Sequence, residues 1–233
     1  MKQKLFMVLT ILSPYLYAQE VKTFSSEKSS FNVVEEMSVH DQFLDSVFHN
    51  GRVFFKSGDI TRAFLNYNLI ANGIFFLNED KQAFQLVGLP EIRLISYGKR
   101  SFVPINSKEV GEIIATYDNG TSLILQRNSK VKNNAEYRGA YGTSTVTSAT
   151  VRVNTWNDQG ASIGIDKTTE IEISLESQYL LMIDNKITPL KTLKTLKKIY
   201  PSKWESIKQF VDANRISLNK QFDVVRLVNF CVE

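Results

Sequence analysis

The sequence predicts an α+β protein, with an antiparallel β-rich body (a sheet, sandwich or partly open barrel) followed by about three C-terminal helices. Short apolar runs bounded by turn residues recur from Gly51 to Lys132, and two further alternating runs precede Asn185. From Thr188 onward the apolar spacing changes to the three-to-four residue period of amphipathic helices. With 43% hydrophobic and 22% charged residues, the chain carries enough apolar side chains for a substantial core, so order is expected over most of its length.

The first element is an export signal. Lys2 and Lys4 form a positive start, Leu5 to Leu12 is apolar, and Pro14 and the small residue Ala18 lead to an expected cleavage after Ala18. The apolar run is too short to span a bilayer core of roughly 30 Å, and no later stretch approaches about 18 apolar residues, so no transmembrane span is expected in the mature chain. The absence of cysteine near the cut argues against a lipid anchor. Residues 19–50 read as a polar lead-in with serines at 25, 26, 29 and 30, residues 51–185 as the antiparallel β domain, and residues 186–233 as the helical segment.

Within the β domain, strands are expected at Arg52 to Phe55, Ala63 to Ile70, Ile74 to Leu77, Ala83 to Val87, Ile92 to Tyr97, Glu112 to Tyr117 and Thr121 to Arg127. Asp118-Asn119-Gly120 joins the last two as a tight hairpin, because these residue types tolerate positive φ. Phe64, Asn66 and Asn68 alternate with Leu65, Tyr67 and Leu69, so this strand is expected to be half buried with a polar outer face. Asn133 to Gly164 is rich in small and polar residues and reads as a long loop or a glycine-punctuated hairpin. Glu170 to Leu175 and Tyr179 to Ile183 complete the β pattern. Thr188-Pro189 is expected to cap and open the first helix, Ser202 and Glu205 to form a capping box for the second, and Asn219 to Phe230 to form the third.

The order Leu65-Asn66-Tyr67-Asn68, Ile74-Phe75-Phe76, the acidic turn Asn78-Glu79-Asp80 and then Ile92, Ile95, Gly98 and Phe102 resembles a group of uncharacterised exported proteins of Bacteroidetes. The Ala18-Gln19 cut resembles export signals of that phylum, and the run from Lys194 through Pro201 to Val211 resembles the helical tail of those proteins. The resemblance implies a β-rich envelope protein and carries over no catalytic residue. Asp45-Ser46-Val47 also resembles the O-glycosylation acceptor common in that phylum, which makes Ser46 a candidate modification site.

Chemistry-bearing residues are sparse. His40 and His49 are nine residues apart, which fits neither a helical metal pair nor a finger pattern. No serine sits in a nucleophile-elbow turn, and the single cysteine, Cys231, lies in an apolar helical pattern that reads as a buried thiol. Glu170 and Glu172 alternate on one strand and read as a solvated face, and no glycine-rich phosphate loop is present. No catalytic residue, metal or cofactor is therefore expected.

The formal charge of +4 falls to +2 once Lys2 and Lys4 are removed with the leader, too little to imply nucleic acid. The ten basic against four acidic side chains of residues 186–233 read as the solvated face of a helical cap. Tyr137, Arg138, Tyr141 and Trp156 stand out in a small-residue stretch as candidate contacts for a partner or a glycan. The leading functional expectation is a non-enzymatic exported envelope protein that acts through protein contacts, as an accessory subunit of an outer-membrane assembly. A glycan-binding module and a carboxylate-type glycan-active enzyme are the alternatives.

Overall fold

The computed structural model describes residues 20–26, 30–32, 37–138, 144–151, 162–164 and 169–233. They form the α+β arrangement expected from the sequence: a large antiparallel sheet followed by helices. The strands are β1 (Glu20–Ser26), β2 (Ser30–Asn32), β3 (His49–Phe55), β4 (Ile60–Asn68), β5 (Gly73–Leu77), β6 (Ala83–Gln85), β7 (Ile92–Tyr97) and β8 (Arg100–Pro104). They continue as β9 (Val110–Thr116), β10 (Ser122–Arg138), β11 (Ser144–Val151), β12 (Ser162–Gly164), β13 (Thr169–Ile183) and β14 (Lys186–Pro189). The helices are the single turn α1 (Val39–Gln42), then α2 (Leu193–Ile199), α3 (Trp204–Asn214) and α4 (Gln221–Val232).

Twelve strands share one sheet, whose main path runs β1-β13-β10-β9-β8-β7-β3-β4-β5-β6. The long strands β10 and β13 pair from Ser122–Met182 to Ala135–Thr169 and belong to two regions at once. At one end β10 pairs with β9 and β13 with β14, and at the other β10 pairs with β11 and β13 with β1. The β10–β13 ribbon thus carries the sheet beyond the body as a four-stranded arm.

The body curls. Register shifts at Phe54/Phe55 and Leu123/Ile124 bend the sheet, as bulges do. The turn after β4 consequently meets β10 across the interior: Ser129 Oγ donates to the Ile70 carbonyl at 2.6 Å, and Asn72 Oδ1 accepts from the Ser129 amide at 3.0 Å. Inside the curl, Leu65, Tyr67, Ile95, Phe102 and Ile173 are buried together. At the other end of the same inner face, Leu196, Ile207, Val211, Leu227 and Val228 of the helices cover Leu123, Leu125, Tyr179 and Leu181. On the outer face, Val103, Ile124 and Leu180 form a smaller apolar cluster with Leu94, Ile113, Met182 and Ile187 at its margin.

Close approach explains one glycine. A Cβ on Gly51 would lie 2.7 Å from both Leu65 Cδ1 and the Ser96 carbonyl oxygen, and the carbonyl belongs to rigid sheet backbone. Gly51→Ala is expected to cost about 1–3 kcal/mol, read from urea unfolding midpoints, because the strand must shift to admit the methyl group.

Several local expectations are corrected. The outer face of β4 is polar in sequence, yet Asn66 and Asn68 are fully buried because residues 37–48 fold over them. Asn66 Nδ2 donates to the carbonyls of Asp45 (2.7 Å) and Val47 (3.1 Å), and Asn68 Oδ1 accepts from the amides of Ile70 and Ala71. Phe43 then packs edge-on against Phe75. The polar lead-in therefore contributes strands β1 and β2, the α1 turn and the core residues Met37 and Phe43. Thr188-Pro189 does not open a helix; it ends β14, where proline at an edge strand leaves no ladder hydrogen bond unmade. Ser202 forms no capping box, since Pro201–Lys203 wind as a 3-10 turn and Glu205 pairs with Lys208 instead. Within Asn133 to Gly164, the β10 residues up to Arg138 pair antiparallel with β11, as the hairpin alternative expects, and Ser162–Gly164 pairs with β2, while residues 139–143 and 152–161 lie outside the described residues. The Asp118-Asn119-Gly120 hairpin forms as expected, with Gly120 at φ 80°.

The helical cap contains Cys231, buried as expected at 1% exposure. Burial pushes its thiol up to about 11 and the Tyr117 phenol up to about 12. Both groups ionise more easily in the unfolded chain, where a free thiol titrates near ~8.5, so their contribution is complete below that pH and is lost as pH rises toward the folded values. The urea midpoint is expected to fall between about pH 9 and 11, with a shallower fall in Cys231→Ala.

Candidate functional site

Two constellations of polar side chains emerge, one inside the curl and one on its outer face. The interior one begins with a ladder of planar groups. The rings of His49 (β3) and Tyr97 (β7) stack at 6.0 Å, Tyr97 and Phe102 (β8) at 5.3 Å, and Phe102 and Tyr67 (β4) at 5.5 Å. The guanidinium of Arg127 (β10) lies 5.7 Å above the Tyr67 ring. Strand alternation places each of these groups on the inner face, and the curl brings β4 over β8 and β10.

Arg127 leads into a charge cluster. Its Nη2 donates to Glu112 Oε2 at 2.6 Å, and the other carboxylate oxygen of Glu112 accepts from Arg100 Nη1 at 2.6 Å. Arg100 Nε reaches Asp45 Oδ2 at 3.2 Å. Two cations and two anions thus form one chain drawn from the loop before β3 and from β8, β9 and β10. Burial disfavours the charge on Arg100, but its hydrogen bond and charge contact with Glu112, reinforced by Asp45, outweigh that and raise its pKa. Burial also raises the pKa of Tyr67 and Tyr97, and both phenols stay neutral. The Tyr97 hydroxyl lies near the Tyr67 backbone without a well-formed hydrogen bond.

This cluster is built to hold the curl together. Asp45 and Glu112 meet on the same guanidinium, so the space a sugar or a water would occupy between two catalytic carboxylates is filled by Arg100. Among the described residues, no group of three or more His, Cys, Asp or Glu is arranged to hold a metal ion.

The exterior constellation lies on β3, β4 and β7. Arg52 is directly opposite Arg62 in the β3–β4 pair and opposite Ser96 in the β3–β7 pair. One step along, Phe54 is opposite Ile60 and Leu94; one step the other way, Asn50 is opposite Phe64. Directly opposed residues share a face, so an apolar row (Ile60, Phe54, Leu94) runs beside a polar row (Arg62, Arg52, Ser96). Asn50, Gly51, Arg52, Arg62, Ser96, Tyr97 and Gly98 line an open cleft of 460 Å³. Among the described residues, neither arginine has a hydrogen-bond or ion-pair partner. Ile60 and Phe64 are 56% and 55% exposed.

The residues singled out in the sequence are not gathered at either constellation. Tyr137 and Arg138 lie on β10 in the arm, opposite Thr145 and Ser144 of β11. Tyr141, Trp156 and the cut after Ala18 lie outside the described residues. Ser46 is exposed, in the bend between Asp45 and Val47, and His40 is exposed on α1. His49 stacks on Tyr97. Glu170 and Glu172 lie on β13, opposite Asn134 and Lys132, and further along the same strand Glu176 pairs with Lys130 at 2.6 Å. The lysines of the helical cap at 191, 194, 197, 198, 208 and 220 are exposed.

Asp45, Arg100, Glu112 and Arg127 carry no sequence signal, because they come from separate elements. Arg52 and Arg62 do carry one: counting outward from Phe55 and Asp59, which close the hairpin turn with a backbone hydrogen bond, sets them opposite each other. No family model, curated protein or solved structure matches the chain.

Proposed function

We propose that this is a non-enzymatic, exported cell-envelope protein that acts through protein contacts, as an accessory subunit of an outer-membrane assembly. The observation that carries the reading is the arm. β10 and β13, at 17 and 15 residues, extend well past their pairing with β9 and β14. The arm is bordered by β1 and β11, each with a strand neighbour on one side only among the described residues. Such edges offer unpaired backbone donors and acceptors that a partner strand can complete. Export rests on the leader Met1 to Ala18, and no helix among the described residues is long and apolar enough to cross a membrane. The occupied state of the interior acids and bases also favours a contact role over acid–base chemistry.

Gentle detergent extraction of the tagged protein from its native envelope, followed by size-exclusion chromatography and identification of co-eluting proteins, tests the proposal. Elution in a stoichiometric membrane complex is the expected result. Elution alone, at the mass of the mature chain, would overturn it and direct attention to glycan binding.

A further inference from the structure

We infer that the outer face of β3, β4 and β7 is a docking surface for an extended, acidic segment of a partner protein, whose carboxylate sits between Arg52 and Arg62. The inference rests on the protein-contact reading above and adds the chemistry of the partner.

Like charges placed directly opposite in an antiparallel pair are destabilising. Arg52 and Arg62 occupy such a position with no carboxylate to offset them among the described residues. Two guanidinium forks facing one cleft form a receptor for a planar oxyanion, and Asn50 and Ser96 beside them add neutral polar groups. The face carries more than charge. Along β4, Ile60, Arg62 and Phe64 alternate as apolar, cationic and apolar at the strand repeat of about 6.6 Å between alternate residues, and both apolar side chains are more than half exposed.

An extended peptide with an acidic residue flanked at i−2 and i+2 by apolar ones has the same period and the complementary charge. The apolar row continues through Phe54 to Leu94, which packs at the margin of the outer-face cluster around Val103, Ile124 and Leu180. The helical cap packs instead on the inner face, against Leu123, Leu125, Tyr179 and Leu181, and leaves this outer row uncovered.

The test is an amide NMR titration of the purified mature protein with the blocked peptide Leu-Thr-Glu-Thr-Leu and its Gln counterpart. The expected result is saturable shifts centred on residues 50–54, 60–64 and 94–98, at least tenfold weaker binding of the Gln peptide, and weakening with added salt. R52Q/R62Q removes the repulsion and is expected to keep the melting temperature while losing the binding; F64A, which leaves both charges, is expected to weaken it severalfold. Equal binding of the Glu and Gln peptides, or no shifts at this face, would overturn the inference. So would tighter competition by inorganic phosphate or dextran sulfate than by unlabelled peptide, which would reassign the cleft to phosphate or polysaccharide. A native complex that persists with R52Q/R62Q would also refute this surface while leaving the contact role intact.

Discussion

Glu112→Ala is expected to destabilise the protein by about 3–5 kcal/mol, as is typical when one partner of a buried ion pair is removed. Both carboxylate oxygens of Glu112 are engaged, by Arg100 and by Arg127, and the Arg127 side chain is only 8% exposed. Alanine would leave two guanidiniums facing each other inside the curl with only Asp45 to offset them. Glu112→Gln keeps the shape but accepts from one arginine while turning its amide protons toward the other, so a loss nearly as large is expected. Replacing Glu112 and Arg127 together by apolar residues should recover much of the loss, because the cost lies chiefly in the orphaned charge. Urea unfolding of the single and double variants measures these differences. A loss below about 1 kcal/mol in Glu112→Ala would mean that water reaches the cluster.

Phe102→Ala is the second large effect, at about 3–5 kcal/mol. Phe102 is fully buried and is the middle rung of the ladder, in contact with Tyr97 on one side and Tyr67 on the other. Its removal opens a cavity and separates the rings that hold β4 over β8. Phe102→Leu fills most of the volume and is expected to cost less, with the remaining deficit reporting the ring stacking. Because Tyr67 also lies under Arg127, the Phe102 and Glu112 substitutions should be non-additive in a double-mutant cycle.

These two residues show where the sequence was legible and where it was not. Local signals worked where one element determined the outcome: Ile92 to Tyr97 is a strand over the expected bounds, and Asp118-Asn119-Gly120 turns the chain by its own backbone preferences. Strand β8 was missed because it is short and opens on Arg100-Ser101, and its inward residues are justified only by the interior they meet. The alternation in β4 correctly paired Leu65 with Tyr67 on one face, but the burial of Asn66 and Asn68 depends on residues some twenty positions earlier. The same is true of the charge cluster, in which Arg100 and Asp45 are 55 positions apart. Thr188-Pro189 failed in the opposite way: a good helix start in isolation was overridden by pairing with Leu181 and Leu180. The arginine pair lies between these cases, since hairpin counting places the two residues opposite each other while their lack of a counter-charge needs the tertiary fold.

A site-specific photo-crosslinker placed in living cells at Thr147, on the edge strand β11, tests the contact role most directly, with an equivalent probe at Lys208 on the exposed helical face as control. A single discrete protein adduct from Thr147 and none from Lys208 is the expected result. An absence of adducts from Thr147 and from a further probe on the β1 edge, with the protein present at normal abundance, would contradict the account.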